Sequence, residues 1–184
     1  MNKAILSVLF LATSMACLFA GPLSGRRVPS FTLPDVGATY HDILDYRGKV
    51  VLVDVMQTTC PHCQELATQL EKVQAKYGDK VPILAIVVPP DTLDTVKKFT
   101  TKYNVRYPIM FDCGQVTATL MKATPSNPQV TFPHLFLVDQ NGMIRQDFDW
   151  EKDQALLSGQ GLIQSIDKLL AAGPPSVPAK PAKK

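Results

Sequence analysis

Two cysteines held two residues apart, in Cys60-Pro61-His62-Cys63, are the side chains of this chain best suited to covalent chemistry. At that spacing a pair of sulfurs can close into a disulfide and reopen, taking up or releasing two electrons. The thiolate is the reactive species, so the question is what would ionise one sulfur and shelter the other. Cys60 comes first and is expected to be accessible, ionised and nucleophilic. Cys63, one helical turn further on, is expected to be the sheltered partner that closes the Cys60–Cys63 disulfide. His62 lies between them, and when protonated it favours the Cys60 thiolate, hence the reduced pair, which makes the couple more oxidising.

The flanking residues supply the elements that would hold such a pair. Val50-Val51-Leu52-Val53-Asp54-Val55-Met56 is a short, β-branched, almost uninterrupted apolar run and reads as a buried strand. Cys63, Leu66, Leu70, Val73 and Tyr77 recur at spacings of three and four, one face of a helix. The pair therefore sits where a strand gives way to a helix. Free backbone N–H groups of the first turn and the positive end of the helix dipole stabilise a thiolate there. Pro61 suits the first helical position, where a missing N–H costs nothing.

Further along, Phe31-Thr32-Leu33 and the turn Pro34 to Gly37 suggest a short hairpin leading to Tyr40 and Ile43, with His41 a surface residue. Gly78 is placed to end the first helix, and Val81 to Val88 reads as a second buried strand. Asp91 or Thr92 would cap a helix with the stripe Leu93, Val96, Phe99, Tyr103. Ile109 to Phe111 is a brief apolar element, followed by a short helix about Val116 to Met121. Asn141-Gly142 between two apolar runs, His134 to Asp139 and Met143 to Phe148, is a strong hairpin signal. Leu162, Ile163, Ile166, Leu169 and Leu170 mark a closing amphipathic helix. This order describes an α/β sandwich, a mixed central sheet flanked by helices with an extra N-terminal hairpin.

The 184 residues divide into three parts: a leader over 1–20, one domain over 25–172 and a basic Pro/Ala/Lys tail over 173–184. Lys3, the apolar run from Ala4 to Ala12 and the small residues after it have the layout of a secretory signal. An uncleaved membrane anchor is the alternative, and Ser14-Met15-Ala16-Cys17 is similar to a lipoprotein signal that would tether the chain through Cys17. The tail has no hydrophobic periodicity and reads as disordered. Of the 19 basic residues, Lys3, Lys180, Lys183 and Lys184 lie in these ends, leaving 15 against 16 acidic residues, so no nucleic-acid surface is expected. Export together with a vicinal cysteine pair points to a periplasmic or otherwise extracytoplasmic, oxidising setting.

Three separated stretches carry a family resemblance: Gly48 to Asp54, Cys60-Pro61-His62-Cys63, and Phe132-Pro133-His134-Leu135-Phe136-Leu137-Val138-Asp139-Gln140-Asn141-Gly142. In their order and spacing the chain resembles the thioredoxin superfamily, and within it secreted thiol–disulfide oxidoreductases of the TlpA/ResA type, with a redoxin or AhpC/TSA-like domain. The resemblance implies a thioredoxin-like fold and enzymatic exchange of disulfides with protein substrates, as in cytochrome c maturation. It also implies a partner protein that recharges the pair, and no cofactor. Pro133 would be a cis-proline facing the disulfide, the alternative being a trans proline on an edge strand. The backbone of Phe132 would pair with an extended substrate segment beside Pro133 and His134. Asp54, six residues before Cys60, matches a buried carboxylate that takes the proton of Cys63, unless it turns to solvent. Pro61-His62 matches the oxidase DsbA, while the rest of the chain looks like reductases. Thr59, Met56 and Gln57 depart from the aromatic residues usual before the motif.

Two other functions use the same residues. A copper-binding, Sco-like metallochaperone would hold the metal with Cys60, Cys63, His62 and His134. A peroxiredoxin-like peroxide reductase would need a threonine and a proline where Gln57 and Val53 stand. Cys113 is the odd thiol and reads as a partly buried, unpaired cysteine. His134, taken as a residue of its strand alone, reads as surface-facing.

Overall fold

A computed structural model describes residues 21–157 and 160–173. The expectations for the leader, for Cys17 and for the tail beyond Gly173 lie outside the described residues. β3 (Val51–Met56) is the organising strand, and all six of its residues are buried. Its neighbours explain the unbroken apolar run. β4 (Ile83–Val87) pairs with it in parallel, β6 (His134–Val138) pairs antiparallel on the other side, and both faces of the sheet are covered. β5 (Ile109–Phe111) and β7 (Ile144–Asp149) complete a five-stranded mixed sheet in the order β5-β4-β3-β6-β7. The expected N-terminal hairpin is present as β1 (Thr32–Pro34) and β2 (Tyr40–Asp42), antiparallel and separate from the main sheet.

Alternation along β3 decides which side chains meet the helices. Leu52 and Met56 share a core with Leu66, Leu70 and Val73 of α1 (Pro61–Tyr77), with Val96 and Phe99 of α2 (Leu93–Tyr103), and with Leu162 and Ile166 of α5 (Gly161–Ala172). Val51, Val53 and Val55 face the other way, onto Phe31 and Leu33 of the hairpin region, Ile43, and Leu120 of α3 (Gln115–Met121). Burying a leucine such as Leu70 completely contributes about 1.5–3 kcal/mol, so the α1 stripe seats that helix firmly on β3.

Local chemistry sets the ends of these elements. Gly78 closes α1 with φ +52, a conformation that suits a residue without Cβ. Thr92 caps α2 in a reciprocal pair of hydrogen bonds with Thr95. Leu93 departs from the expected stripe: it is the first residue of α2 and is 53% exposed. One helix escaped the sequence reading altogether. α4 (Trp150–Leu157) follows β7 without a break and buries only Trp150 and Leu157.

Candidate active site

The chain leaves β3 at Met56, turns through Gln57-Thr58-Thr59 and enters α1 with Cys60 as its N-cap. Cys60 has an extended backbone, φ −74 and ψ 120, which turns its side chain back over the first helical turn. Its Sγ accepts a hydrogen bond from the backbone N–H of Cys63 at 3.3 Å. Pro61 follows in the first turn, as the sequence implies. Cys60 is half-buried, whereas Cys63 is 0% exposed and belongs to the helix-side core. An outside sulfur can therefore reach Cys60 and not Cys63. The Gln57 N–H donates to the Cys63 sulfur at 3.5 Å. Burial pushes the Cys63 thiol up, and the Asp54 carboxylate and Cys60 push it further.

The turn before Cys60 is fastened by residues remote in sequence. Asp91 accepts from the Thr58 N–H at 3.0 Å, and its other oxygen accepts from the hydroxyl of Thr58 and, at 2.8 Å, from that of Thr95. From the α1 side, Gln64 donates its amide to the Thr58 carbonyl at 3.0 Å, and Tyr103 of α2 donates to Gln64 at 2.6 Å. Of the two residues expected to cap α2, Asp91 or Thr92, it is Thr92 that does so, which leaves the Asp91 carboxylate for the turn.

Facing Cys60 across the cleft is the segment before β6. The Phe132–Pro133 peptide is cis. The Cys60 thiol donates to the Phe132 carbonyl at 3.6 Å, so this backbone lies beside the Cys60 sulfur. Phe132 is half-buried and packs on both cores, and Pro133 is buried.

Asp54 is not turned to solvent. It sits in the middle of β3, opposite Leu135 on β6 and Ala85 on β4, and is 1% exposed. Its side chain points to the α1 face, the face that holds Cys63. Neither carboxylate oxygen has a hydrogen-bond partner, and burial pushes its pKa up to about 7 from the ordinary 3.8. The hydroxyl of Tyr107, also buried and unpartnered, belongs to the same neighbourhood: burial and then the Asp54 charge push its pKa up.

His62 projects from the first turn of α1, half-exposed, with its ring stacked on that of Trp150. Trp150 was not among the expected site residues; its being the single tryptophan of the chain was the only signal for it. The structure corrects three other expectations. His134 is 3% exposed rather than surface-facing, because β6 is covered on both faces. It lies opposite Val55 on the hairpin face of the sheet, with Asp147 at 3.5 Å, and so points away from Cys63. The four donors of the copper alternative therefore do not converge, and no cluster of three candidate ligands occurs among the described residues. His41 is part-buried and bridges Asp35 at 2.9 Å and the Tyr46 hydroxyl at 3.2 Å. Cys113 is exposed, not partly buried.

Comparison with known proteins places the fold and the family. The AhpC/TSA family model matches residues 24–147. The thiol-disulfide oxidoreductase ResA of Geobacillus kaustophilus is 29% identical over 123 residues, 66% of this chain and 67% of that protein. Among solved structures, the thioredoxin domain of a thiol-disulfide oxidoreductase from Bacteroides vulgatus superposes with a TM-score of 0.63 at 22% identity, covering 79% of this chain and 96% of that one. A DsbF homologue from Corynebacterium diphtheriae gives 0.64 at 20% identity, over 78% of this chain and 86% of its own. These likenesses establish a thioredoxin-like fold.

Proposed function

The chain belongs to the AhpC/TSA family, and on that premise we propose that it is an extracytoplasmic thiol–disulfide oxidoreductase that exchanges disulfides with protein substrates through Cys60 and Cys63. The observation that carries this reading is the hydrogen bond from the Cys63 N–H to the Cys60 sulfur at a helix N-cap, with the backbone carbonyl of Phe132 in contact with that sulfur.

In the reducing direction, the Cys60 thiolate attacks one sulfur of a substrate disulfide. The substrate S–S bond breaks, its far sulfur leaves as a thiolate and takes a proton, and a mixed disulfide to Cys60 remains. The Asp54 carboxylate then accepts the proton of Cys63. With a pKa of about 7, it is poised to take and return a proton near neutral pH. The Cys63 thiolate attacks Cys60 Sγ, the Cys60–Cys63 bond forms, and the second substrate sulfur leaves and is protonated. Two electrons and two protons have passed to the substrate. The oxidising direction is the same sequence reversed, beginning with a substrate thiolate at Cys60.

The substrate segment lies along Phe132 and Pro133, where an extended backbone can meet the Phe132 main chain. A second protein returns the pair to its working state, through the same exposed sulfur. The secretory layout of residues 1–20 supports an extracytoplasmic site of action, with a membrane tether as the variant in which that leader or Cys17 remains attached. The test is catalysis: with dithiothreitol the protein should speed reduction of the insulin interchain disulfides, and its oxidised form should oxidise a dithiol peptide. Failure in both directions would overturn the reading.

A further inference from the structure

His62 occupies an awkward place for a cation. It is in the first turn of α1, where the positive end of the helix dipole opposes a second positive charge. Its side chain is 55% exposed, so packing alone would leave it free to change rotamer. Two neighbours act against both tendencies. Glu65, one turn on, is 3.6 Å from Nδ1 but is itself well exposed, so solvent screens most of its effect. Trp150 differs in kind. Its ring centroid is 5.4 Å from that of His62 and the planes are inclined by only 22°. Trp150 is 4% exposed and packed in the core cluster that contains Cys63, so the indole is a fixed surface. The face of an indole carries negative charge density and attracts a cation above it, tryptophan more strongly than phenylalanine.

We propose that Trp150 is a positioning residue for the redox pair: its indole holds the His62 ring over the first turn of α1, where a charged imidazole stabilises the reduced pair and makes the couple a stronger oxidant. This rests on the thiol–disulfide reading of the site and adds a residue that tunes its potential. The equilibrium concerned is that of the dithiol with oxidised glutathione. The two protein thiols lose two electrons and two protons, the Cys60–Cys63 bond forms, the glutathione disulfide breaks and two glutathione thiols are released. Stabilising the reduced protein holds this reaction back.

The test is a double-mutant cycle on the full chain in glutathione buffers at pH 6, where an ordinary imidazole is mostly charged. Trp150→Leu should raise the equilibrium constant for oxidation by about two- to fivefold, a fall in potential of about 10–20 mV at 29.6 mV per tenfold. Trp150→Phe should retain part of the effect. In a His62→Ala background Trp150→Leu should change nothing. An equal rise in that background, or no rise in the parent, would overturn the proposal. A measurement on the unaltered protein stands even if Trp150→Leu does not fold: the indole ring current should displace the His62 ring protons upfield in the NMR spectrum, and unshifted protons would overturn it too. Should the pair form no disulfide in glutathione at all, the oxidoreductase reading itself fails. A disulfide that forms with a potential indifferent to Trp150 overturns only the role given to the indole.

Discussion

The backbone N–H of Cys63 points at the sulfur of Cys60 from 3.3 Å. One residue thus contributes twice. Its amide supports the outer sulfur, and its own sulfur is buried in the helix-side core. The two thiols are chemically alike, and their surroundings divide the labour: Cys60 faces the cleft and the Phe132 carbonyl, Cys63 faces the core and Asp54.

Asp54 should make the protein less stable as pH rises. Its folded pKa, about 7, lies above the ordinary 3.8, so the folded state keeps a proton that the unfolded state has released. Stability is therefore lost progressively between about pH 4 and 7, and a shift of this size corresponds to about 4 kcal/mol. Urea unfolding of Asp54→Asn at pH 4 and pH 8 should show most of this slope removed. The same substitution should slow release of the mixed disulfide by about a hundredfold, at the low end for a lost general base, and flatten the rise of that step with pH around 7.

Asp91 should matter to the turn more than to the helix it precedes. Asp91→Ala leaves the Thr58 N–H and hydroxyl without their acceptor, and Thr58 is buried. Loss of about 1–3 kcal/mol is expected in chemical denaturation. Alkylation kinetics of Cys60 should change with it, because Thr58 is two residues away. Thr92→Ala, which removes only the cap of α2, should cost about 1 kcal/mol and leave those kinetics unaltered.

His134 faces Asp147 across the far side of the sheet, so His134→Leu should leave the rate of insulin reduction within about twofold of the parent. A much larger fall would return this histidine to the site from which the geometry removes it.

Much of the site was legible from residue types. The β-branched run of β3, the Pro61 position and the apolar spacing of α1 locate the cysteine pair at a strand-to-helix junction, and the match around Phe132-Pro133 places the opposite wall. What sequence could not supply were contacts between distant segments. Asp91 reaches Thr58 across 33 residues, and Trp150 meets His62 because α4 packs against α1. His134 was misread because alternation along β6 assigns a face without saying whether that face is covered; here the hairpin and α3 cover it. α4 escaped notice because a helix that buries only its two end residues has little apolar periodicity to show.

The central claim is that Cys60 receives the substrate sulfur and Cys63 expels it. Purified Cys63→Ser, mixed with a disulfide-bonded protein and run on a non-reducing gel, should accumulate a covalent adduct that dithiothreitol removes and that is absent from Cys60→Ser. No adduct with Cys63→Ser, or an equal adduct with Cys60→Ser, would contradict the account.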